Sequence, residues 1–520
     1  MAAGRPGVRE LTRFQVLRLT GTAGALLIGL GALGAGALPV VGNPYGSLPV
    51  GTLMSRMLQT SSVLVLVGVG LLVLAWVLMA PFVGASRSAG SQPTVTTSSL
   101  KRTFAAWVLP ILFTAPLFTQ DIYSYLAQGS IVARGMDPYA AGPVDLLGPE
   151  DPLARSVPFI WSHSPSPYGP VALWLASMIS RITSDSIILG VIGHRMLSLV
   201  GLIAVGWAIT RLARRCRVNP VAALWLGLLN PLTILHLIGG IHNEAILLGL
   251  MLVGMELGLR GVDLLGGRNG RVVDPRAGAW LIIISAVLVA CAGMVKVTGF
   301  LALGFVGMNL ARHLLRVGRH PAVSIVIAIA VQTVLLVATI AVITAATGIG
   351  LGWVTGQGGA ATIRSWMSMT TNVGVVSGFF GMLLGLGDHT DAILLITRAA
   401  GVLVAAGFLI RMLFATFRGT IHPVGGLGVS TFVLVLLFPV VHPWYMLWAI
   451  LPLAAWANRP LFRIAVVVYS AAFSFFVLPR GLSLPPDTVL SIYVGSALSF
   501  AAVVALGWWL LRRRRVLGLH

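Results

Sequence analysis

Few residues of this 520-residue chain could carry chemistry, because only 9% of them are charged. Asp121 stands directly after an apolar run and is followed closely by Tyr123 and Tyr125. A carboxylate at such a boundary can accept a proton from a substrate hydroxyl. The alternative is a solvated helix end, and the position of Asp121 alone does not decide between the two.

A second polar group, His242-Asn243-Glu244, separates two apolar runs. Ionisable side chains at a membrane boundary are costly unless they are paired or used. Three polar residues in a row, two of them ionisable, therefore indicate a functional site more strongly than a lone histidine would. The sequence leaves open whether they bind polar groups of a substrate or act as a secondary acid or base.

A third group is His442, Trp444 and Tyr445, again between apolar runs. His442 is either a ligand to an anionic substrate or a capped helix end. Trp444 and Tyr445 either line a binding site or belong to an aromatic belt at the membrane interface.

Three cations on the same predicted side of the membrane are candidates for holding a phosphate: Lys296, Arg195 and Arg364. The ammonium of Lys296 is a compact point charge of the kind that binds phosphate well. The alternative for Lys296 and Arg195 is a side chain that extends to the interface. Arg364 has the alternative of being solvated in a loop.

The composition decides in which solvent these groups must be placed. Hydrophobic residues make up 57% of the chain and its mean hydropathy is +0.94, which excludes a soluble protein of this length. The apolar runs are continuous rather than alternating, so membrane helices are expected and a barrel is not. The net charge of +21 comes from clusters between apolar runs, with no basic stripe and interleaved aromatics to indicate nucleic acid as a partner.

The basic clusters also predict the topology. Most of the 35 lysines and arginines fall in every second loop, which by the positive-inside rule places those loops and both termini in the cytoplasm. We predict an all-α polytopic membrane protein, one domain over residues 1–520, with about fourteen helices. They are expected near residues 16–38, 61–83, 104–119, 187–210, 220–238, 244–260, 278–295, 297–315, 321–347, 390–415, 422–441, 445–458, 461–478 and 489–511.

The loops of the other side are expected to carry the function. A long outer segment, 119–186, holds six acidic residues, and a second one, 347–389, is rich in glycine and threonine. Within the first, Pro170 to Ile182 is amphipathic and too short to span, which predicts an interfacial helix. Most of the 14 acidic residues lie outside in this topology, so any chemistry is expected to face outward.

Five motifs occur in order on this outer side: Asp121, Gly135-Met136-Asp137-Pro138-Tyr139, Ser166-Pro167-Tyr168-Gly169-Pro170, His242-Asn243-Glu244 and His442-Pro443-Trp444-Tyr445. With these motifs the chain resembles the GT-C glycosyltransferases. Among them it is most similar to the actinobacterial polyprenol-phosphate-mannose-dependent α-1,6-mannosyltransferases of lipomannan and lipoarabinomannan. The resemblance extends from about Asp121 to Tyr445.

The resemblance implies transfer of mannose from a polyprenol-phosphate-mannose donor to an α-1,6-mannan acceptor at the outer face of the plasma membrane, with inversion by a single displacement. Asp121 matches the catalytic aspartate of the family and would be the general base. A lipid phosphate leaves as a stable anion, so cations can replace the acid that glycosidases need. The expected substrate-binding residues are Tyr123, Tyr125, His242, Asn243, Glu244, Lys296, His442, Trp444, Tyr445, Arg195 and Arg364.

We expect no cofactor and no metal, since His242 and Glu244, two positions apart, would not share a helical face. Two other functions stay open. One is a transferase for another polyprenol-phosphate sugar, arabinose or glucose. The other is a lipid-linked sugar transporter or flippase, which would predict charges deep in the bundle and broken helices in two related halves. The long, asymmetric outer segment favours an enzyme.

Overall fold

The computed structural model describes residues 8–39, 41–85, 92–266, 274–356 and 364–516, and the regular secondary structure of these ranges is entirely helical. The prediction of an all-α polytopic membrane protein is confirmed. Residues 357–363 of the second predicted outer loop lie outside the described ranges.

Within the described ranges, nine helices are long and apolar enough to cross a bilayer. They coincide with nine of the predicted membrane helices: Thr12–Ala35 (the apolar part of a helix that begins at Val8), Leu58–Leu78, Ile187–Arg215, Glu244–Leu265, Pro275–Gly293, Val297–Arg316, Pro321–Thr347, Thr390–Arg418 and Pro486–Leu510 (the apolar part of a helix that ends at Val516).

The other five predicted spans are shorter or broken helices within the described ranges. A bilayer core of about 30 Å needs about 20 helical residues. Proline and asparagine interrupt these runs by removing or diverting backbone hydrogen bonds. The elements found are Thr97–Leu112, Pro220–Gly227 followed by the π-helix Thr233–Gly239, Pro423–Leu437, Leu447–Trp456 and Pro460–Phe473.

One helix, Met369–Leu383, lies where the sequence predicts part of an outer loop. Its glycines form a smooth face, since a Cβ at Gly374 or Gly378 would collide with Leu394 or Thr390 of the neighbouring helix Thr390–Arg418. The abundance of small residues therefore reflects close helix packing.

After the helix Asp121–Ala133, the rest of the first predicted outer segment folds as a cap of helices over one end of the bundle. The amphipathic stretch is a helix, Pro170–Thr183, as predicted. It packs on the helix Asp121–Ala133, where Gly129 approaches the backbone of Ala176, so this buried face is not available to the bilayer. Short helices complete the cap: Pro143–Leu147, Pro152–Ser156 and Phe159–Ser162.

Short elements join the long helices elsewhere. They are the helix Pro49–Ser55 and the 3-10 helices Pro44–Ser47, Ala80–Val83, Val297–Phe300, Gly352–Val354 and Pro443–Met446. The break before Val297–Phe300 and the one that contains Pro443–Met446 place polar side chains beside the cap. The helices between these breaks bury a continuous apolar core that holds the breaks in place.

Candidate active site

Asp121 is the first residue of the helix Asp121–Ala133, below the cap, and 28% of its side chain is exposed. One carboxylate oxygen, Oδ1, accepts a hydrogen bond of 3.1 Å from the indole Nε1 of Trp161. The other, Oδ2, lies 3.9 Å from Nδ1 of His242. The backbone N–H of Asp121 donates to the hydroxyl of Thr119 at 3.2 Å. The carboxylate is thus oriented, yet one side remains accessible.

Desolvation by the surrounding protein raises the pKa of Asp121 above its ordinary value. Hydrogen bonds from Trp161 and Thr119 oppose this rise, the negative charge of Glu244 adds to it, and Lys296 opposes it. A carboxylate with a raised pKa accepts protons more readily than a solvated one, provided that it is still ionised at the working pH. The environment of Asp121 therefore suits a general base.

Lys296 forms an ion pair with Glu244, with 2.8 Å between Nζ and Oε1. Its ammonium also donates to the hydroxyl of Tyr445 at 3.0 Å and lies 5.0 Å from the ring centroid of Trp448. Burial alone would lower the pKa of Lys296, but the charge of Glu244 outweighs it and raises the pKa. Lys296 thus remains charged inside the site and does not extend to the membrane surface.

Three rings stack beside Asp121. The ring of Trp444 lies 4.6 Å from that of His442 and 4.0 Å from that of His242, with interplanar angles of 5° and 20°. Burial, reinforced by Lys296, lowers the pKa of His442 to about 4, and burial together with His442 lowers that of His242 well below its ordinary value. Both imidazoles are therefore neutral near pH 7 and contribute polarity and shape rather than charge.

These groups surround one cavity between the cap and the bundle. Eight of the residues singled out in the sequence line it: Asp121, Tyr125, His242, Glu244, Lys296, His442, Trp444 and Tyr445. Four segments far apart in the sequence therefore meet at one site.

The sequence predicts that Tyr123 and Asn243 bind substrate. In the structure neither residue lines this cavity. Tyr123 is fully buried, because the periodicity of the helix turns it away from Asp121, and its hydroxyl donates to the carbonyl of Ala37 at 2.7 Å. Asn243 borders a separate small pocket beside Tyr125.

The two predicted arginine ligands are also placed elsewhere. Arg195 is fully buried, and its guanidinium donates only to backbone carbonyls. Arg364 lies on the surface, where it forms an ion pair of 2.8 Å with Asp391. Neither guanidinium faces the cavity, so Lys296 is the predicted cation that the structure brings to it.

Sequence reasoning missed Trp161 and gave no role to Tyr168. Trp161 is 40 residues from Asp121, inside a four-residue helix whose position no periodicity reveals. Tyr168 belongs to a motif noted above, and its hydroxyl donates to that of Tyr125 at 3.3 Å, forming part of the cavity wall. The only signal in the sequence was the presence of aromatic residues in a polar outer segment.

An apolar groove lies behind one wall of the cavity. The two share the segment Phe438–Val441, whose residues face the cavity or the groove. Ser365 exchanges hydrogen bonds with the backbone of Val441, and the hydroxyl of Thr371 donates to the carbonyl of Pro439 at 2.8 Å. The groove is lined by Trp366, Met367, Val435, Leu436, Val441, Met446, Tyr469, Phe473 and Phe476.

The residues that the structure describes contain no group of three or more histidine, cysteine, aspartate or glutamate side chains placed to hold a metal ion.

Comparison with known proteins gives two matches that together cover most of the chain. The family model "Alpha-(1->6)-mannopyranosyltransferase, N-terminal domain" matches residues 18–312, more than half of the sequence. The chain belongs to this mannosyltransferase family. A second model, "MptB C-terminal domain", matches residues 370–505. No solved structure matches the chain significantly.

Curated relatives of this mannosyltransferase support the same assignment. It is 65% identical to the alpha-(1->6)-mannopyranosyltransferase B of Corynebacterium glutamicum, over 98% of this chain and 84% of the relative. It is 41% identical to the alpha-(1->6)-mannopyranosyltransferase Rv1459c of Mycobacterium tuberculosis, over 91% and 84%. It is 33% identical to the alpha-(1->6)-mannopyranosyltransferase A of the same organism, over 95% and 89%.

The cavity joins the two matched regions of this mannosyltransferase. Asp121, His242, Glu244 and Lys296 lie in the N-terminal match, whereas the segment from Phe438 to Tyr445 lies in the C-terminal one. Both regions are therefore needed to complete the site.

Proposed function

We propose that this enzyme transfers mannose from polyprenol-phosphate-mannose to an α-1,6-mannan acceptor of lipomannan or lipoarabinomannan, at the outer face of the plasma membrane. Transfer proceeds with inversion, and Asp121 is the general base. One observation carries the proposal: an oriented carboxylate with a raised pKa and a half-buried ammonium line the same cavity, next to an apolar groove.

The acceptor hydroxyl attacks C1 of the mannosyl group while Asp121 takes up its proton. The bond between C1 and the phosphate oxygen breaks in the same step, and the polyprenyl phosphate departs with the electron pair. Trp161 holds Oδ1 of the base, so Oδ2 is the oxygen available for the proton. A single displacement of this kind needs no covalent intermediate and no second carboxylic acid.

Lys296 supplies the positive charge for the donor phosphate. An ammonium has three N–H donors, and two of those of Lys296 are directed to Glu244 and Tyr445. The third is free to meet a phosphate oxygen without breaking the ion pair. Glu244 therefore compensates the charge of Lys296 while the site is empty and fixes its direction when the donor is bound.

The apolar groove suits the polyprenyl chain of the donor. It is lined almost entirely by apolar and aromatic side chains and begins on the far side of the segment Phe438–Val441. A lipid phosphate could therefore lie at the cavity with its hydrocarbon chain in the groove. The other sources of mannose, such as a nucleotide sugar, have no apolar part that this groove would bind.

The helix ends support an outward orientation. The helices Ile187–Arg215 and Leu301–Arg316 have basic residues in their last turn, and the helix from Pro275 carries Arg276 in its first, all at the ends away from the cavity. The positive-inside rule places those ends, and with them both termini, in the cytoplasm. The cavity and its cap then lie at the outer side.

A cell-free assay with three polyprenol phosphates that carry mannose, arabinose or glucose tests this function. We expect transfer of mannose alone to a synthetic α-1,6-mannoside. Transfer of another sugar would overturn the donor assignment. Movement of a fluorescent lipid-linked sugar across vesicles of this protein, without transfer to the acceptor, would favour a flippase instead.

A further inference from the structure

We propose that Arg195 is a positioning residue of the transfer reaction: it clamps together the two chain segments that bring Asp121 and His242 to the cavity. The inference rests on the proposed role of Asp121 as base. Arg195 itself does not line the cavity, so it acts through the backbone of these segments.

Every N–H group of the Arg195 guanidinium has a carbonyl partner. Nε donates to Ile238 at 3.1 Å, and Nη2 to Ala115 at 2.9 Å and to Gly239 at 3.5 Å. Nη1 donates to the carbonyls of Leu112, at 3.1 Å, and Thr114. A guanidinium has five N–H donors, so none remains for a phosphate.

These carbonyls belong to two helix ends that converge on one cation. Leu112 is the last residue of the helix Thr97–Leu112, and Gly239 is the last of the π-helix Thr233–Gly239. The last carbonyls of a helix lack partners within it and carry partial negative charge. Arg195 supplies these carbonyls with both hydrogen bonds and a positive charge. Among the described residues no carboxylate forms an ion pair with it. Its role is thus to join the two ends.

Both joined segments then enter strained turns that lead to the site. Phe118 has φ of 69° and stands three residues before Asp121, while Ile241 has φ of 58° and directly precedes His242. Positive φ is unfavourable for bulky residues and especially for β-branched isoleucine. Such turns persist only where the surrounding structure fixes them.

The clamp supplies that constraint. Besides the five bonds of Arg195, the backbone N–H of Leu117 donates to the carbonyl of Gly239 at 3.0 Å, so the two segments are already in contact before the strained turns. The separation of 3.9 Å between Asp121 Oδ2 and His242 Nδ1 depends on this contact. Without Arg195 the turns can relax, and Asp121 loses its place relative to the acceptor hydroxyl.

The first test compares Arg195→Met and Arg195→Lys in purified full-length protein with polyprenol-phosphate-mannose and a synthetic α-1,6-mannobioside. We expect kcat to fall at least tenfold in Arg195→Met with less than a twofold change in donor KM, because the phosphate contact is elsewhere. Arg195→Lys, which keeps the charge and three donors, should be intermediate. Arg211→Met, on the same helix near its cytoplasmic end, is the matched control and should retain activity.

The second test replaces the clamp with a covalent bond. A Cβ built on Gly239 would lie 3.7 Å from the Cβ of Leu117, a separation that suits a disulfide. Leu117→Cys and Gly239→Cys are introduced together into Arg195→Met, with Cys216 and Cys291 replaced by alanine. Oxidation should restore at least a third of the kcat lost, and reduction should abolish the recovery. The same pair with Arg195 intact should show no gain on oxidation.

Three results would overturn the inference: unchanged kcat in Arg195→Met, a loss confined to donor KM, or no recovery when the disulfide is shown to form. Should Arg195→Met fail to purify as a monodisperse protein, the disulfide must restore its yield, and failure to do so counts against the clamp equally. Failure of the proposed function can be distinguished from failure of this inference. If the proposed function were wrong, the wild-type protein would be inactive with this donor, or Asp121→Asn would remain active.

Discussion

The indole of Trp161 donates a hydrogen bond of 3.1 Å to the carboxylate of Asp121 across 40 residues of sequence. This bond ties the cap to the first residue of the helix that it covers. The carboxylate thus gains both an orientation and an electrostatic partner from a residue in the cap. The order of the cap and the reactivity of the proposed base are therefore coupled.

Trp161→Phe removes this bond and should change the pH dependence of transfer. The bond lowers the pKa of Asp121, so its loss raises that pKa further. Transfer needs the ionised carboxylate, hence the acidic limb of kcat/KM should move to higher pH. Transfer rates measured from pH 5 to 8 check this shift. The control is Trp174→Phe, which changes an exposed tryptophan of the neighbouring cap helix. An unshifted limb would separate Trp161 from the base.

Asp121→Asn should reduce kcat by about 10²–10⁴-fold, the usual contribution of a general base. The amide cannot take up the acceptor proton, while its similar size preserves the packing around Trp161. Transfer to an α-1,6-mannoside measures the loss at equal amounts of folded protein. The control is Asp145→Asn, which changes an exposed carboxylate of the cap that is paired with His163. This variant should transfer mannose at the wild-type rate. Activity close to that of the wild type in Asp121→Asn would exclude it as base.

Lys296→Met should raise the donor KM and also lower stability. The substitution removes the proposed phosphate contact and leaves the carboxylate of Glu244, 4% exposed, without its counter-ion. Adding Glu244→Gln should therefore recover most of the thermal stability but not the donor affinity. Thermal unfolding and donor titration separate the two effects. Recovery of both by the double variant would show that Lys296 is only a structural partner of Glu244.

His442 should make the protein less stable in mild acid. Its pKa is lowered to about 4 in the folded protein, whereas an unfolded histidine titrates near 6.5. Between these values the unfolded state binds more protons, so stability falls as the pH decreases from about 6.5 towards 4. At pH 5 the titration of His442 alone lowers the free energy of unfolding by about 2 kcal/mol. His442→Phe should show a smaller loss of melting temperature between pH 7 and pH 5, and an equal loss would contradict this.

The apolar groove should matter for long donors only. Phe473→Trp enlarges a side chain that lines it, so the groove should become too narrow for a long polyprenyl chain. We expect the KM for a polyprenol donor of natural length to rise several-fold while that for a short-chain analogue stays constant. Phe379→Trp, exposed on another helix, is the control. Equal effects on both donors would place the chain elsewhere.

The sequence alone determined the solvent, the helical class and most of the residues of the site. A chain with 57% hydrophobic residues and 9% charged ones has to fold in a bilayer, and arginine clusters in alternate loops indicate which ends share a side. The remaining polar residues at the opposite ends then become few and informative. For this reason Asp121, Glu244, Lys296 and His442 could be singled out before any contact was known.

Only the tertiary structure decided how these residues pair. Sequence periodicity does not reveal that Lys296 pairs with Glu244 or that Trp161 donates to Asp121. Nor does it reveal that all N–H groups of the Arg195 guanidinium donate to carbonyls. Each of these contacts joins segments that are distant in sequence. An isolated buried cation looks the same in sequence whether its partner is a substrate phosphate, a carboxylate or two helix ends. The packing of the helices chooses among these partners, since it fixes which unsatisfied groups come within hydrogen-bonding distance.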